Sequence, residues 1–215
     1  MSNNKLVELV NLWAAHEAEQ PDLSIEAFCE RILATRGNTY QAINEYGIPL
    51  EGKIMGHLGR MGKFASIYSK KALQETALNN VEDWVYLLCT MEMGTPKKSE
   101  LINQLLSEFP SGIDVIKRMV AAGYLEEFPD EEDKRSKRVR ITPAGVEKVQ
   151  ACLPQMQKVG DMALGLLTPV EKQFLVTILD RLDRFHEKHY KTTRSEDFEA
   201  LHQLLTSDFT NFVNK

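Results

Sequence analysis

The stretch Asp130–Gly145, DEEDKRSKRVRITPAG, changes the sign of its charge halfway along. Four acidic residues come first, and five basic residues follow within the next seven positions: Lys134, Arg135, Lys137, Arg138 and Arg140. In the second half, Val139 and Ile141 alternate with arginines, as they would on a strand that buries one face. We therefore predict a β-hairpin with a charged loop, and its basic half could face a negatively charged partner.

The two predicted strands are Tyr124–Phe128 and Lys137–Thr142, on either side of the polar loop. Three short helices precede them. One begins at an Asn80 cap, the second is Thr95–Ser107, and the third is Ser111–Ala122. Short helices joined by tight connections in this order indicate a helix-turn-helix unit.

Long amphipathic helices are predicted on both sides of this unit. One begins near Lys53, another follows Thr142, and the motif Thr168–Glu171 is a capping box that opens a third. The first contains Gly56, Gly59 and Gly62, but no strand precedes them and no Gly-Lys-Ser/Thr follows. Close helix packing explains this spacing better than a phosphate loop.

Composition limits the class of protein. The chain has 215 residues, 43% of them hydrophobic and 27% charged, with a net charge of −5, which suits one large domain or two small intertwined ones. No apolar run approaches the ~20 residues that cross a bilayer, and the start of the chain is not a secretory signal. The three cysteines are widely spaced and odd in number, which argues against a disulfide framework or a zinc site. We expect a cytoplasmic protein with no membrane contact.

From about Lys53 to Leu182 the sequence resembles the MarR family of dimeric winged-helix transcription regulators. The resemblance rests on Gly123–Gly145, where Gly-Tyr-Leu, Asp-Lys-Arg-Ser and Ile-Thr-Pro-Ala-Gly occupy the places of the family pattern. Thr168–Glu171 also matches the usual opening of the family's last dimerisation helix. Residues 1 to about 50 and the tail after about 190 lie outside the resemblance.

The predicted fold is mainly α-helical with a small β-hairpin wing, a winged helix-turn-helix lobe embedded in a helical dimerisation domain. Residues 1–50 are expected to form an N-terminal helical extension and 51–78 a dimerisation helix. Residues 79–145 form the DNA-binding lobe, 146–190 further dimerisation helices, and 191–215 a C-terminal helical extension.

The resemblance implies that Arg135 enters the minor groove of DNA, with Asp133 positioning its guanidinium. The acids Asp130–Glu132 would lie on the other side of the loop and limit non-specific binding. The recognition helix would present its first residues to the major groove, and phosphate contacts would position the protein. The predicted DNA-binding residues are Thr95, Lys97, Lys98, Ser111, Gly112, Ile113, Asp114, Lys117, Arg118, Asp133, Lys134, Arg135, Lys137 and Arg138.

Asp114 departs from the family, whose members commonly carry arginine or another polar residue there. Ser111 and Asp114 have capping-box spacing, so the carboxylate could close the first turn of the helix. It could instead accept a hydrogen bond from a cytosine. We favour the cap.

The resemblance implies a homodimeric regulator, expected to be a repressor, on a pseudo-palindromic operator in double-stranded DNA. A small-molecule effector would relieve repression from a pocket lined by His57, Arg60, Tyr68 and Met91. One alternative is a protein-interaction module on the same scaffold, and another is a thiol redox switch at Cys29 or Cys89. The sequence offers no catalytic set, metal set or cofactor motif, so we do not expect an enzyme.

Overall fold

The computed structural model describes residues 5–35, 47–74, 76, 78 and 80–213. The chain divides into two compact units, Met1–Arg60 and Met61–Lys215. The first contains helix α1 (Lys5–Glu19), helix α2 (Ile25–Thr35) and the start of helix α3 (Leu50–Leu73). Helix α3 begins three residues before the predicted start near Lys53.

The small core of the first unit is aromatic. The ring of Phe28, which is 5% exposed, lies 5.0 Å from that of Trp13 and 5.7 Å from that of His16. The side chain of Ser24 accepts a hydrogen bond from the amide of Ala27, as expected at the start of α2. The predicted end of this helix, at Gly37-Asn38, lies outside the described residues.

The second unit holds the predicted winged helix. After the rest of α3 come α4 (Val81–Met93), α5 (Lys98–Gln104), α6 (Phe109–Ala121), β1 (Leu125–Pro129), β2 (Lys137–Ile141), α7 (Pro143–Leu164), α8 (Pro169–Thr193) and α9 (Phe198–Val213). The predicted fold class, mainly helical with one small hairpin, is confirmed.

Helices α4, α5 and α6 and the hairpin enclose one apolar core. Leu87, Leu101, Ile102, Ile116 and Val139 are fully buried in it. Each element contributes side chains from one face, so the three short helices and the wing are held as one body.

The hairpin is antiparallel, with Leu125 opposite Ile141 and Pro129 opposite Lys137. Val139 lies inward as predicted, and its amide donates to the carbonyl of Pro96 at 3.0 Å. The second strand is therefore bonded on one edge to β1 and on the other to the segment before α5. This fixes the wing against the helix-turn-helix unit.

Helix starts follow the sequence closely. The Asn80 side chain accepts from the amide of Glu82 at the start of α4, and that of Thr142 accepts from Gly145 at the start of α7. Thr168 and Glu171 form the predicted capping box of α8. These predictions are confirmed because capping depends on residues only two or three positions apart.

Helices α7 and α8 carry exposed apolar side chains along their length. They include Leu153, Met162, Val170, Phe174, Leu179 and Leu182. Among the described residues no single helix is long and apolar enough to cross a membrane. Helices α7 and α8 meet that criterion only as a pair bent by 96°. A Cβ added at Gly56, Gly59 or Gly62 of α3 would meet nothing within 4 Å, so the described chain does not supply the predicted close packing there.

Helix α9 packs on α8 through an aromatic cluster. The ring of Phe185 lies 5.3 Å from that of Phe209 and 5.2 Å from that of Phe212. Beside it, the Asp208 carboxylate contacts Lys188 at 2.6 Å and the buried ring of His189 at 3.0 Å. The C-terminal extension is thus helical, as predicted, and is attached to α8.

Gly145 lies where the wing meets α7. A Cβ at this position would come within 2.3 Å of the Tyr124 carbonyl oxygen and 2.7 Å of the Ile141 side chain. We expect Gly145→Ala to lower the free energy of unfolding by about 1–3 kcal/mol because the backbone must move apart. Gly160→Ala, in the same helix but in open space, should instead raise it by about 0.5–1 kcal/mol. Urea unfolding of both variants measures the difference, and equal effects would contradict the close contact.

Candidate nucleic-acid interface

The basic side chains on the strands of the wing are matched by acids. Glu126 lies opposite Arg140 across the hairpin and forms an ion pair with it. Glu127 pairs with both Lys137 and Lys98. The alternation of residues in β1 places these two acids on opposite faces, so each face carries its own compensating charge. Lys98 and Lys137, both predicted DNA contacts, are already engaged within the protein.

Asp130 organises the base of the wing. Its carboxylate is buried, with a side chain 1% exposed, and accepts from the amides of Glu132 at 3.1 Å and Asp133 at 2.7 Å. It also pairs with Arg138 and, at 3.6 Å, with Lys97. The acids Asp130–Glu132 were expected together on the other side of the loop, limiting non-specific binding, but the loop folds around the carboxylate of Asp130 and buries it.

The electrostatic state of Asp130 follows from these contacts. The hydrogen bond from the Asp133 amide, together with the charges of Arg138 and Lys97, lowers the pKa of the Asp130 carboxyl below its usual range. Arg138 also donates to the carbonyl of Thr95 at 2.7 Å. Asp130 and Arg138 therefore join the wing to the segment that leads into α5.

Asp133 has a different role from the predicted one. Its carboxylate accepts from the backbone amide of Arg135 at 3.1 Å and from the Ser136 hydroxyl at 2.7 Å. These bonds lower the pKa of Asp133. They close the loop as an Asx turn, so Asp133 shapes the backbone beneath Arg135 and not its guanidinium.

Two cations remain at the tip of the wing. Lys134 and Arg135 are exposed, and among the residues that the structure describes neither has an acidic partner within ion-pair distance. Lys97, Lys98, Lys137, Arg138 and Arg140 all do. The wing thus holds its two cations without ion pairs at one end, in the same loop as the exposed acids Glu131 and Glu132.

Helix α6, the predicted recognition helix, begins earlier than predicted. It starts at Phe109, with Glu108 as its N-cap and Pro110 in the first turn, where a fixed φ favours helix. Ser111 is consequently inside the first turn, and Asp114 lies beyond it. The predicted cap by Ser111 and Asp114 is therefore wrong.

The predicted site residues of α6 lie on two different faces of the helix. Ser111, Asp114 and Lys117 are exposed, with Lys117 3.9 Å from Asp114. Ile113 is half-buried against the core. Gly112 lies on the inner face, because a Cβ there would come within 2.6 Å of Ile102 and 2.7 Å of the Tyr86 hydroxyl.

Arg118 was predicted to contact phosphate, but the structure pairs it with Asp83. Its guanidinium donates through Nε to both carboxylate oxygens, at 3.1 and 3.3 Å, and through a second nitrogen. The hydrogen bond to Asp83 raises the pKa of Arg118. This pair joins α6 to the start of α4 and fixes the orientation of α6. Sequence reasoning missed it, since 35 residues separate the partners.

The start of α5 lies beside the wing. Its first turn is closed by Glu100, whose carboxylate accepts from the Lys97 amide at 2.8 Å. Thr95 is exposed, and its carbonyl oxygen is taken by Arg138. Of the three residues predicted here, Thr95 has an exposed hydroxyl, whereas the amines of Lys97 and Lys98 are paired.

A cleft of about 680 Å³ lies between the end of α3 and α4. It is lined by Ser66, Lys70, Asn80, Val81, Glu82, Val85, Tyr86, Leu105 and Ser107. The Tyr86 hydroxyl is buried and has no hydrogen-bond partner among the described residues, and burial raises its pKa. Tyr68 and Met91, predicted to line an effector pocket, are not among these residues, and the predicted His57 and Arg60 belong to the other unit.

The cysteines differ in access. Cys89 is 9% exposed, and burial raises the pKa of its thiol, which disfavours the reactive thiolate. Cys152 is buried and Cys29 is exposed. The environment of Cys89 is therefore that of a structural thiol.

Residues 71–145 match the model of a family described as a winged helix DNA-binding domain. Solved structures of similar fold include BpsR of Bordetella bronchiseptica, whose DNA binding is regulated by 6-hydroxynicotinic acid. It is 20% identical, with a TM-score of 0.56, over 61% of this chain and 98% of BpsR. A MarR mutant from E. coli in complex with operator DNA is 20% identical, with a TM-score of 0.55, over 62% and 97% of the chains. The regulator SlyA is 19% identical, with a TM-score of 0.58, over 65% and 98%.

The chain is a winged-helix protein with the MarR fold. The predicted resemblance to MarR-family regulators is confirmed at the level of fold. Among curated protein sequences, none matches the chain. More than a third of this MarR-fold chain lies outside its similarity to BpsR.

We expect Asp130→Asn to loosen the wing, because Arg138 and Lys97 would lose the carboxylate that they share. Amide hydrogen exchange of residues 130–138 should accelerate, while that of α4 stays unchanged. Glu131→Gln removes an acid from the exposed neighbouring position and serves as the control.

The contribution of Asp130 to the stability of the wing should depend on pH in one direction. Because the pKa of Asp130 is lowered in the folded protein, its contribution is complete above the ordinary aspartate pKa of about 3.9. It is lost only as the pH falls further, through the folded value. A wing that loosens between pH 5 and 7 in the wild type would contradict this assignment.

Proposed function

We propose that the chain is a sequence-specific DNA-binding transcription regulator that acts in the cytoplasm as a homodimer. Each protomer would place α6 in the major groove and the tip of its wing in the adjacent minor groove of a pseudo-palindromic operator. The bound dimer would repress transcription, and a small-molecule effector would release it.

One observation carries the proposal: Lys134 and Arg135 at the end of the wing are exposed and form no ion pair with the described residues. The strands hold their cations in ion pairs, whereas Lys134 and Arg135 extend from a loop that Asp130 and Asp133 keep in shape. A rigid support lowers the entropy lost when a side chain binds. The negative potential of a narrow minor groove attracts an arginine presented in this way.

We expect Arg135→Ala to weaken binding to a duplex selected from a random pool with the wild-type protein. The slope of log affinity against log salt concentration should decrease by about two, because each of the two wings of the bound dimer loses one cationic contact. Arg140→Ala removes an arginine from the same hairpin, but one that is paired with Glu126, and should have a smaller effect. Fluorescence anisotropy at several salt concentrations measures both. Equal losses, or no loss for Arg135→Ala, would contradict the role of the wing tip.

The proposed dimer is supported by the apolar surface of the long helices. Phe174 is 40% exposed on α8, Leu182 is 44% exposed, and Val170 is 71% exposed. An apolar surface of this extent on long helices is typical of a face covered by another subunit. A two-fold dimer would also supply the two recognition helices, about one helical turn of DNA apart, that a pseudo-palindrome requires.

We expect Leu182→Glu to convert the dimer into a folded monomer with at least tenfold weaker operator binding, because a buried, unpaired carboxylate destabilises an apolar interface. Gln173→Glu places the same charge on an exposed, polar position of α8 and should leave assembly intact. Sedimentation velocity gives the oligomeric state, and circular dichroism verifies the fold. A monomeric wild-type protein would refute the dimer.

We propose the cleft beside Tyr86 as the effector site. It combines a cation, Lys70, with hydroxyl groups and an unpartnered phenol, and such convergent polar groups are typical of small-molecule sites. The Tyr86 hydroxyl lies 2.7 Å from the point where a Cβ of Gly112 would be, so a ligand bound against this hydroxyl would lie beside α6. The likeness to BpsR makes a small aromatic acid the first class to test.

A protein-interaction module is the main competing function. The exposed carboxylates of Glu108 and Asp114 on α6 favour it, since acids repel phosphate. The salt titration above separates the two, because a module without DNA contacts would select no duplex and show no salt-dependent binding.

A further inference from the structure

The end of α8 contacts the start of the recognition helix. The guanidinium of Arg194, the C-cap residue of α8, lies 3.3 Å from the carboxylate of Glu108, the N-cap residue of α6. The two residues are 86 positions apart. Arg194 also lies over the ring of Tyr190, 5.8 Å from its centroid, which restricts where its charge can be.

This ion pair is part of a longer contact region. A cleft of about 590 Å³ is lined on one side by α8, from Asp183 to Tyr190, and on the other by α5 and Leu106. The last turns of α8 therefore run beside the helix-turn-helix unit. None of these α8 residues belongs to the matched winged helix domain, residues 71–145.

The charge of Glu108 creates a problem for DNA binding. Its side chain is 81% exposed, at the end of α6 that a recognition helix directs toward DNA. A carboxylate suits a helix N-terminus, because it stabilises the positive end of the helix dipole. The same carboxylate repels phosphates within the screening distance of about 10 Å at 0.1 M salt. Among the described residues, Arg194 is the cation within ion-pair distance of Glu108.

We infer that Arg194 is a positioning residue for DNA binding: it neutralises Glu108 at the N-terminus of the recognition helix, so that the phosphate backbone can approach. The C-terminal end of α8 thereby belongs to the DNA-binding apparatus. The inference rests on the proposed function and extends it beyond the winged helix domain.

Four proteins test this inference: the wild type, Arg194→Ala, Glu108→Gln and the double variant, each with the duplex selected by the wild type. Arg194→Ala should weaken binding about two- to fivefold, the range open to a single exposed charge pair. In the Glu108→Gln background the same substitution should have almost no effect, because no charge remains to be neutralised. Arg194→Lys should keep most of the wild-type affinity.

Arg184→Ala is the matched control for net charge. Arg184 is exposed on the same helix, and its side chain donates to the carbonyl of Asp180 one turn away. The Arg184→Ala substitution should therefore leave the affinity for the duplex unchanged. The difference in duplex affinity between Arg194→Ala and the wild type should shrink as the salt concentration rises from about 0.05 to 0.5 M.

Two results would overturn the inference while leaving the proposed function intact. One is unchanged affinity in Arg194→Ala. The other is an equal loss with and without Glu108→Gln, which would mean that Arg194 does not act through Glu108. A wild-type protein that selects no duplex would overturn the proposed function itself, and this inference with it.

Discussion

The buried carboxylate of Asp130 is the contact on which the candidate interface depends. It holds the loop amides of Glu132 and Asp133, and it also holds Arg138 and Lys97. The bonds to the amides give the loop its shape, and the bonds to the cations attach that shape to β2 and to the start of α5. A buried charge is tolerated only when it is paired and hydrogen-bonded, and this one meets both conditions. The exposed tip is therefore carried on a fixed base.

The acids in this region explain how a chain with a net negative charge can hold a basic surface. Glu126, Glu127 and Asp130 neutralise the basic residues that build the wing and the start of α5. What remains exposed and without an ion pair in the wing loop includes Lys134 and Arg135, together with the acids Glu131 and Glu132. Such an arrangement limits attraction to nucleic acid in general and favours contact in one orientation.

The features predicted well from the sequence depend on neighbouring residues. The caps at Asn80, Thr142 and Thr168 and the alternation in β2 need only a few consecutive positions. Some errors concern residues whose role depends on distant partners, whereas the cap predicted for Ser111 and Asp114 failed locally because α6 begins at Phe109. The sequence did not reveal that Arg118, predicted to contact phosphate, is paired with Asp83, 35 positions earlier. The acids of β1 could have been assigned from the hairpin register alone, since Glu126 must face Arg140. The burial of Asp130 and the pairing of Arg194 could not have been assigned from the sequence.

The tight joint at Gly145 has a mechanical consequence. With the Tyr124 carbonyl against the first turn of α7, and Thr142 bonded to both Gly123 and Gly145, the hairpin and this helix cannot bend independently. We expect them to tilt together about Gly145. A hairpin arm of about 20 Å, from five residues and half the loop, converts a tilt of about 10° in α7 into a sideways shift of about 3 Å at the tip. That shift is as long as a hydrogen bond, so a small rotation of the long helix would break the contacts made by the tip.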